Sequence, residues 1–342
     1  MKAALIREHG ELDRVEAGTM PEPAAGPGEA VLDVRAAALN HLDIWVRKGG
    51  RAPIPMPHVL GSDAAGVVAE VGPGVSDVKV GDEVVVISGL SCGACEACRR
   101  GEHSECASFG IIGLSRPGVF AEKAAVPAAN LLPKPKGLSW EEAAALGIAY
   151  STAWRMLFTR AKLRPGETVL IHGIGGGVAL AALQFARHVG AEAIVTSSSE
   201  AKLARARELG AAHGIHYRRT PDVAAAVREA TGGRGADVSV NTVGAAAWPI
   251  DLAALRKGGR AVVCGVTTGA EAPTDLRALY WNQLSLLGST FASHDDFRLM
   301  LRTVAAAGIK PVLDSVVPLG QAAEAMGRME RGEQFGKIVL RV

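Results

Sequence analysis

The chain has 342 residues, a formal net charge of +2, 4% aromatic residues and 41 glycines. That length is enough for two domains, each with its own core. The near-neutral charge argues against nucleic acid or an anionic membrane as a partner, and the few aromatics argue against a base-stacking platform. Apolar stretches such as Ala143 to Ala149 stop well short of the roughly 20 residues that span a bilayer, so no membrane association is expected.

From Met1 to about Pro127 the sequence consists of short β-branched runs broken by Gly and Pro: "EAVLDVRAAAL", "AAGVVAEVG", "VGDEVVVIS" and "GVFAEKAAV". Runs of this kind predict a largely antiparallel, barrel-like domain. The opening "MKAALIREHG" carries charge and no apolar core of a signal peptide. The expected location is therefore the reducing cytoplasm, with free thiols.

Within this region Cys92, Cys95, Cys98 and Cys106 fall in the fifteen-residue stretch "CGACEACRRGEHSEC", while Cys264 stands alone. Two C-x-x-C steps and a return can close four sulfurs around one tetrahedral Zn²⁺ at about 2.3 Å. Four protein ligands leave no open position, so this zinc is expected to be structural. Its binding free energy, on the order of 10 kcal/mol, would order the loop from about 88 to 112. Arg99 and Arg100 are placed to offset the excess negative charge. The alternative is two disulfides in a secreted protein.

From Trp140 the pattern changes. "WEEAAALGIAYSTAWRML" has helical period, and strands then alternate with helices: "ETVLIHG", a helix over 178–189, "AEAIVTS", "EAKLARARELG", "ADVSVNTVG", "RAVVCGV" and "QLSLLGST". That alternation predicts a right-handed, parallel, doubly wound sheet. Gly173, Gly175, Gly176 and Gly177 lie between the first strand and the helix beginning near Val178. Glycines there let the backbone approach a pyrophosphate, whose charge meets the helix N-terminal N–H groups. Ala179 takes the place of the last small residue of that motif, a role alanine also fills.

The end of the next strand discriminates between the two dinucleotides. NAD-preferring sites put Asp or Glu there to hold the ribose hydroxyls. This chain has "TSSSEAK", with Ser197, Ser198, Ser199 and Lys202. Hydroxyls and a lysine accept a 2′-phosphate that a carboxylate would repel. Tyr217, Arg218 and Arg219 are expected to complete this phosphate site, so NADP(H) is the expected cofactor. If these cations form only a solvated helix face, the preference would be weak.

The last segment, from Ser293, reads as a helix and a closing strand "GKIVLRV" that returns to the first domain. "QLSLLGST" would lie at the sheet edge, where pairing across a two-fold axis would make a homodimer. Whether dimers pair into a homotetramer is left open.

Taken together, Asn40 to Gly49, "LGSDAAGVVAEVGPGV", "VGDEVV", the four-cysteine lobe, "HGIGGGV" and "FGKIVL" make the whole chain resemble the zinc-type medium-chain dehydrogenase/reductase superfamily. The resemblance implies an α/β fold with two parts. One is a discontinuous GroES-like β-barrel catalytic domain over 1–127 and 293–342. The other is a Rossmann coenzyme domain, a doubly wound parallel sheet, over 128–292. In the superfamily's alcohol dehydrogenases a catalytic zinc is held by a cysteine, a histidine with an adjoining glutamate, and a second cysteine. Those places are taken here by Asn40, by Ser62 with Asp63, and by Ile148, a set ill-suited to zinc. Leu42 stands where alcohol-oxidising members keep the hydroxyl that starts their proton relay.

"LNHLDIWVRKG" looks instead like the quinone oxidoreductase branch, whose members pass hydride from NADPH to a conjugated carbonyl. Many of them lack the cysteine lobe that this chain keeps. The resemblance implies that Asn40 donates its amide to the substrate carbonyl, that His41 meets the pyrophosphate and that Thr152 packs against the nicotinamide. Tyr150 and Asp63 are candidates to supply or relay a proton. Asn241 and Gly265 stand at carboxyl ends of strands, where this fold places its ligand, and Arg331 is a candidate for the 2′-phosphate. His58, His103 and Cys264 are read as structural. The expected activity is NADPH-dependent reduction of a small quinone, enone or aldehyde, with one structural zinc per chain. Two alternatives stand beside it. One is an alcohol dehydrogenase with a metal site rebuilt from His41, Asp63 and a neighbour such as His58. The other is a nucleotide-binding redox-sensing module without catalysis.

Overall fold

The computed structural model describes residues 1–49 and 53–342. The chain forms two compact units, one of Met1–Ser151 with Ala292–Val342 and one of Thr152–Phe291.

In the first unit the ten-residue strand Glu29–Ala38 is the spine. Its apolar residues, Val31, Leu32 and Val34 among them, are buried on both faces. It pairs antiparallel with Asp63–Val71 along its length, with Lys123–Pro127 over its first half and with Lys337–Arg341 over its second. The closing strand therefore returns to the amino-terminal part, and Leu313–Pro318 pairs parallel outside it. A smaller sheet buries Ala3, Leu5 and Val59 together with Ala121.

The expected break near 127 moves to 151/152. The helix Trp140–Ala144 packs on the strands Glu29–Ala38, Asp63–Val71 and Lys337–Arg341, which ties the following segment to the first unit. The single helix predicted from Trp140 divides into Trp140–Ala144, Gly147–Trp154 and a π-helical turn Arg155–Arg160. The carboxy-terminal segment holds more than the predicted helix and strand. Between the helix His294–Ala307 and the closing strand lie the strand Leu313–Pro318 and the helix Ala322–Glu330.

The second unit alternates strand and helix as predicted: β1 Thr168–Ile171, α1 Gly177–Val189, β2 Glu192–Ser197, α2 Glu200–Glu208, β3 His213–His216, α3 Val223–Ala230, β4 Ala236–Asn241, α4 Trp248–Ala254, β5 Leu255–Val263, α5 Leu276–Trp281 and β6 Ser285–Gly288. All neighbouring strands pair parallel in the order β3-β2-β1-β4-β5-β6. This is the strand order of a dinucleotide-binding doubly wound sheet, in which the order reverses between β1 and β4. Leu170, Ile194, Val227, Ala236 and Ala254 are buried in its core.

Candidate functional site

The four thiols of the cysteine lobe converge. The Cys92, Cys95, Cys98 and Cys106 sulfurs all lie within 4.8 Å of one another, with Cys92 to Cys98 at 3.9 Å and Cys95 to Cys98 at 3.5 Å. A tetrahedron with bonds of about 2.3 Å has edges of about 3.8 Å, so the spacing fits one zinc ion. Backbone N–H groups of Cys92 and Cys95 point at the Cys106 and Cys92 sulfurs, at 3.4 and 3.3 Å. Hydrogen bonds from the Cys98 backbone N–H and side chain draw the Cys95 thiol down to about 6. Arg99 and Arg100 stand elsewhere than expected, bonded to the Ala94 carbonyl and to Glu96 and not to the sulfurs. Among the described residues no other group of three or more His, Cys, Asp or Glu side chains converges in this way.

The glycine loop after β1 is shaped for an anion. Gly173 and Gly175 hold φ angles of +68° and +118°, which L side chains rarely adopt. A Cβ at Gly173 would meet nothing closer than the Val243 side chain at 3.4 Å, and one at Gly176 only the Gly173 carbonyl at 3.6 Å, so the loop borders open space. No side chain caps α1 at Gly176. The N–H groups of Gly177 and Val178, in the first turn, have no partner within the helix. These features fit a pyrophosphate.

At the end of β2, Ser197 is buried and its Oγ accepts from the Ser199 N–H at 3.1 Å, while Ser199 caps α2 by accepting from Lys202 N at 3.3 Å. Each hydroxyl thus accepts one of these bonds and keeps a proton to donate. Ser197 pairs in register with His216, whose neighbour Tyr217 is exposed, so the two strand ends lie side by side. Glu200, the nearest acid, extends along α2 toward Arg207 at 3.5 Å.

In the first unit, Asn40 lies just past the strand Glu29–Ala38 and is the N-cap of the helix His41–Lys48. The expectation that it offers its amide outward is corrected. Asn40 Nδ2 donates to Asp63 Oδ2 at 2.9 Å and to the Ala38 carbonyl at 3.3 Å, and its Oδ1 accepts from Lys337 Nζ at 2.7 Å. Lys337 also donates to the Leu39 carbonyl at 2.6 Å and reaches Asp63 Oδ2 at 3.3 Å. Asp63 is fully buried, and its Oδ1 accepts from Ser88 at 2.8 Å and from the Ile148 N–H at 2.9 Å. Gly147 is required here, because a Cβ would collide with the Asp63 carboxylate. A proton relay through Asp63 is thus closed off by burial and by four donors. Beside it, burial pushes the Asp43 carboxyl up to about 7, although it accepts from the Asn40 N–H at 2.8 Å.

Tyr150, a candidate to supply a proton, is a core residue. It is 1% exposed, its hydroxyl accepts from the Val312 N–H at 3.2 Å, and burial drives its pKa upward. His58 is buried too, with Nε2 3.0 Å from the Gly113 carbonyl. His41, by contrast, is exposed. Crowding by surrounding protein and then the Lys337 charge pull its pKa below the usual value. Thr152 is buried.

Asn241 and Gly265 stand at or just past the carboxyl ends of β4 and β5, as expected. Asn241 is fully buried and closes its own turn, accepting from Val243 N and Gly244 N at 2.9 and 2.7 Å. Gly265 is needed because a Cβ would strike the Thr242 carbonyl. Arg331 is exposed and held by both oxygens of Glu333, at 2.6 and 3.1 Å. The sequence reading passed over Lys337, Ser88, His172 and Asp251. Lys337 left a signal, a cation opening the apolar run Ile338–Leu340.

Two family profiles match the chain: the alcohol dehydrogenase GroES-like domain over residues 26–136 and the zinc-binding dehydrogenase over residues 177–306. A zinc-type alcohol dehydrogenase-like protein of Schizosaccharomyces pombe is 35% identical, covering 92% of this chain and 91% of that protein. The crystal structure of an NAD-dependent alcohol dehydrogenase superposes with a TM-score of 0.96 at 45% identity, covering 100% of both chains. A crotonyl-CoA carboxylase/reductase solved in complex with NADP superposes with a TM-score of 0.94 at 29% identity, covering 100% of this chain and 94% of that one.

Proposed function

We propose that this chain, which belongs to the zinc-type medium-chain dehydrogenase/reductase superfamily and is an oxidoreductase of that family, reduces a small quinone or α,β-unsaturated carbonyl with NADPH. The observation that carries the reading is Lys337. Its ammonium fills the cation position among Leu39 O, Asn40 Oδ1 and Asp63 Oδ2, and two of those residues stand at the superfamily's metal-site positions. With Asn40, Ser62 and Ile148 in place of two cysteines and a histidine, the donor set does not fit zinc. An acceptor activated by its own conjugation needs no such metal. Crowding by protein first, and the Lys337 charge second, lower the pKa of His41, and a positive charge near the substrate would favour a developing oxyanion.

The bound dinucleotide would supply the hydride. The glycine loop and the first turn of α1 would hold its pyrophosphate, and Ser197, Lys202 and Tyr217 would hold the 2′-phosphate. His41 and Thr152 are proposed as further cofactor contacts. The four cysteines would bind one structural zinc, and no described helix is long and apolar enough to cross a membrane. The reading places the protein in the cytoplasm, where the thiols stay reduced. A homodimer is part of the proposal. β6 ends the sheet order, and Leu276, Tyr280 and Trp281 on the adjoining α5 are among the exposed large apolar side chains.

The likeness to an NAD-dependent alcohol dehydrogenase favours a second reading, oxidation of an alcohol with NAD and a metal. One experiment separates them: zinc content together with turnover of NADPH and NADH against 1,4-benzoquinone, an enone and an aldehyde, and of NAD against primary alcohols. One zinc per chain with NADPH-driven quinone or enone reduction supports the proposal. Two zincs with NAD-driven alcohol oxidation overturn it, and silence in every assay favours a binding module.

A further inference from the structure

His172 follows β1 directly and stands where the strand order reverses, with β2 on one side of β1 and β4 on the other. In doubly wound sheets the ligand lies over the strand carboxyl ends at this point. The imidazole is 3% exposed, and both nitrogens are engaged. Nδ1 lies 3.3 Å from Thr196 Oγ1 on β2, and Nε2 lies 2.8 Å from Asp251 Oδ1 on α4. Asp251 is fully buried, and its Oδ2 accepts from Asn241 Nδ2 at 2.6 Å. Asn241 closes the turn after β4 through Val243 N and Gly244 N. At the other end Thr196 Oγ1 accepts from the Gly173 N–H, in the glycine loop, at 3.4 Å.

A single proton assignment satisfies the whole chain of bonds. Gly173 N–H donates to the Thr196 hydroxyl, which donates to His172 Nδ1. His172 Nε2–H donates to Asp251, which also accepts from Asn241. The buried carboxylate thus has two side-chain donors, and the glycine loop, the end of β2 and the turn after β4 are joined through one ring.

We propose that His172 is a positioning residue for the dinucleotide. Through Thr196 it holds the Gly173 backbone, and through Asp251 and Asn241 it holds the 243–244 turn that faces that loop, so pyrophosphate affinity depends on a residue that never touches the ligand. The inference rests on the dinucleotide-site reading above and adds the residue that sets the site's shape. Gly173 supports the link, because the Val243 side chain is what a Cβ there would meet first. The network therefore sets the spacing of two backbones that flank the same open space.

The test is an NADPH and NADH fluorescence titration of wild type, His172→Phe, His172→Gln and Thr196→Val, with KM and kcat on a working acceptor and a melting curve for each protein. Phenylalanine keeps the ring volume and loses both bonds, and Thr196→Val removes the hydroxyl that joins His172 to Gly173 while leaving the His172–Asp251 bond in place. We expect His172→Phe to raise the dinucleotide Kd and KM by about tenfold while kcat at saturation stays within about threefold. Thr196→Val should raise both severalfold, and His172→Gln should recover part of the loss. An unchanged Kd in folded His172→Phe or Thr196→Val overturns the proposal, as does a fall in kcat at unchanged KM. If His172→Phe does not fold, Thr196→Val decides the matter. If wild type binds neither dinucleotide, the reading of the site fails and takes this inference with it.

Discussion

Lys337 Nζ lies 3.3 Å from Asp63 Oδ2, in a pair whose side chains are 4% and 0% exposed. The lysine comes from the last strand and the aspartate from near the middle of the first unit, so the pair joins segments 274 residues apart. Removing one partner of a buried pair leaves a desolvated charge, at a cost of about 3–5 kcal/mol. Lys337→Met should therefore lower the urea midpoint strongly, and Lys337→Met combined with Asp63→Asn should recover much of the loss. Additive losses in that double mutant would contradict a direct pairing.

Asp43 gives the fold a pH-dependent term of defined sign. An unfolded aspartate titrates near 3.9, while burial raises folded Asp43 to about 7. Between those values the unfolded chain binds fewer protons, so this term is fully stabilising below about pH 4 and is lost as pH rises through about 7. Asp43→Asn can still accept from the Asn40 N–H and should flatten the slope of unfolding free energy over that range. A slope equal to that of wild type, measured by denaturant titration from pH 4 to 8, would count against it.

The cysteine lobe should hold one zinc per chain by elemental analysis, and Cys98→Ser or Cys106→Ser should release it. Structural zinc contributes on the order of 10 kcal/mol to ordering its loop. Chelation should therefore raise amide exchange over 88–112 before it affects the second unit.

The proposed preference for NADPH would depend on the end of β2. Ser197→Asp places a carboxylate where the 2′-phosphate is proposed to lie. It should shift the ratio of kcat/KM for NADPH over NADH toward NADH by about tenfold or more, since like charges facing each other there cost several kcal/mol. An unchanged ratio would relocate the phosphate site.

The proposed two-fold contact along β6 and α5 should respond to charge. Tyr280→Glu with Trp281→Glu, at side chains 66% and 69% exposed, should leave the fold intact and shift sedimentation toward monomer. Unaltered assembly would exclude this face.

Much of the second unit was legible because its signals are local. The glycines after β1 and the strand and helix alternation each declare themselves within about thirty residues, the length of one βαβ unit. The cysteine lobe is equally local, since four thiolates at that spacing need only one turn of chain to converge. The partners of Tyr150, Asn241 and Arg331 were less legible, for a different reason. Each of these three residues stands in a segment whose pattern fits a site, while its partner, the Val312 N–H, Asp251 or Glu333, lies outside the motif that drew attention to it.

The sequence by itself determined the fold class, the four-cysteine lobe and the glycine loop, because these are properties of residue type and spacing along the chain, while the replacement of the usual zinc ligands is what the resemblance to the superfamily implies. Only the tertiary structure decided which distant side chains meet Asn40 and His172. Lys337 reaches Asn40 across 297 residues and His172 reaches Asp251 across 79. A buried polar group must find a partner wherever the fold brings one, and no periodicity along the chain records that choice.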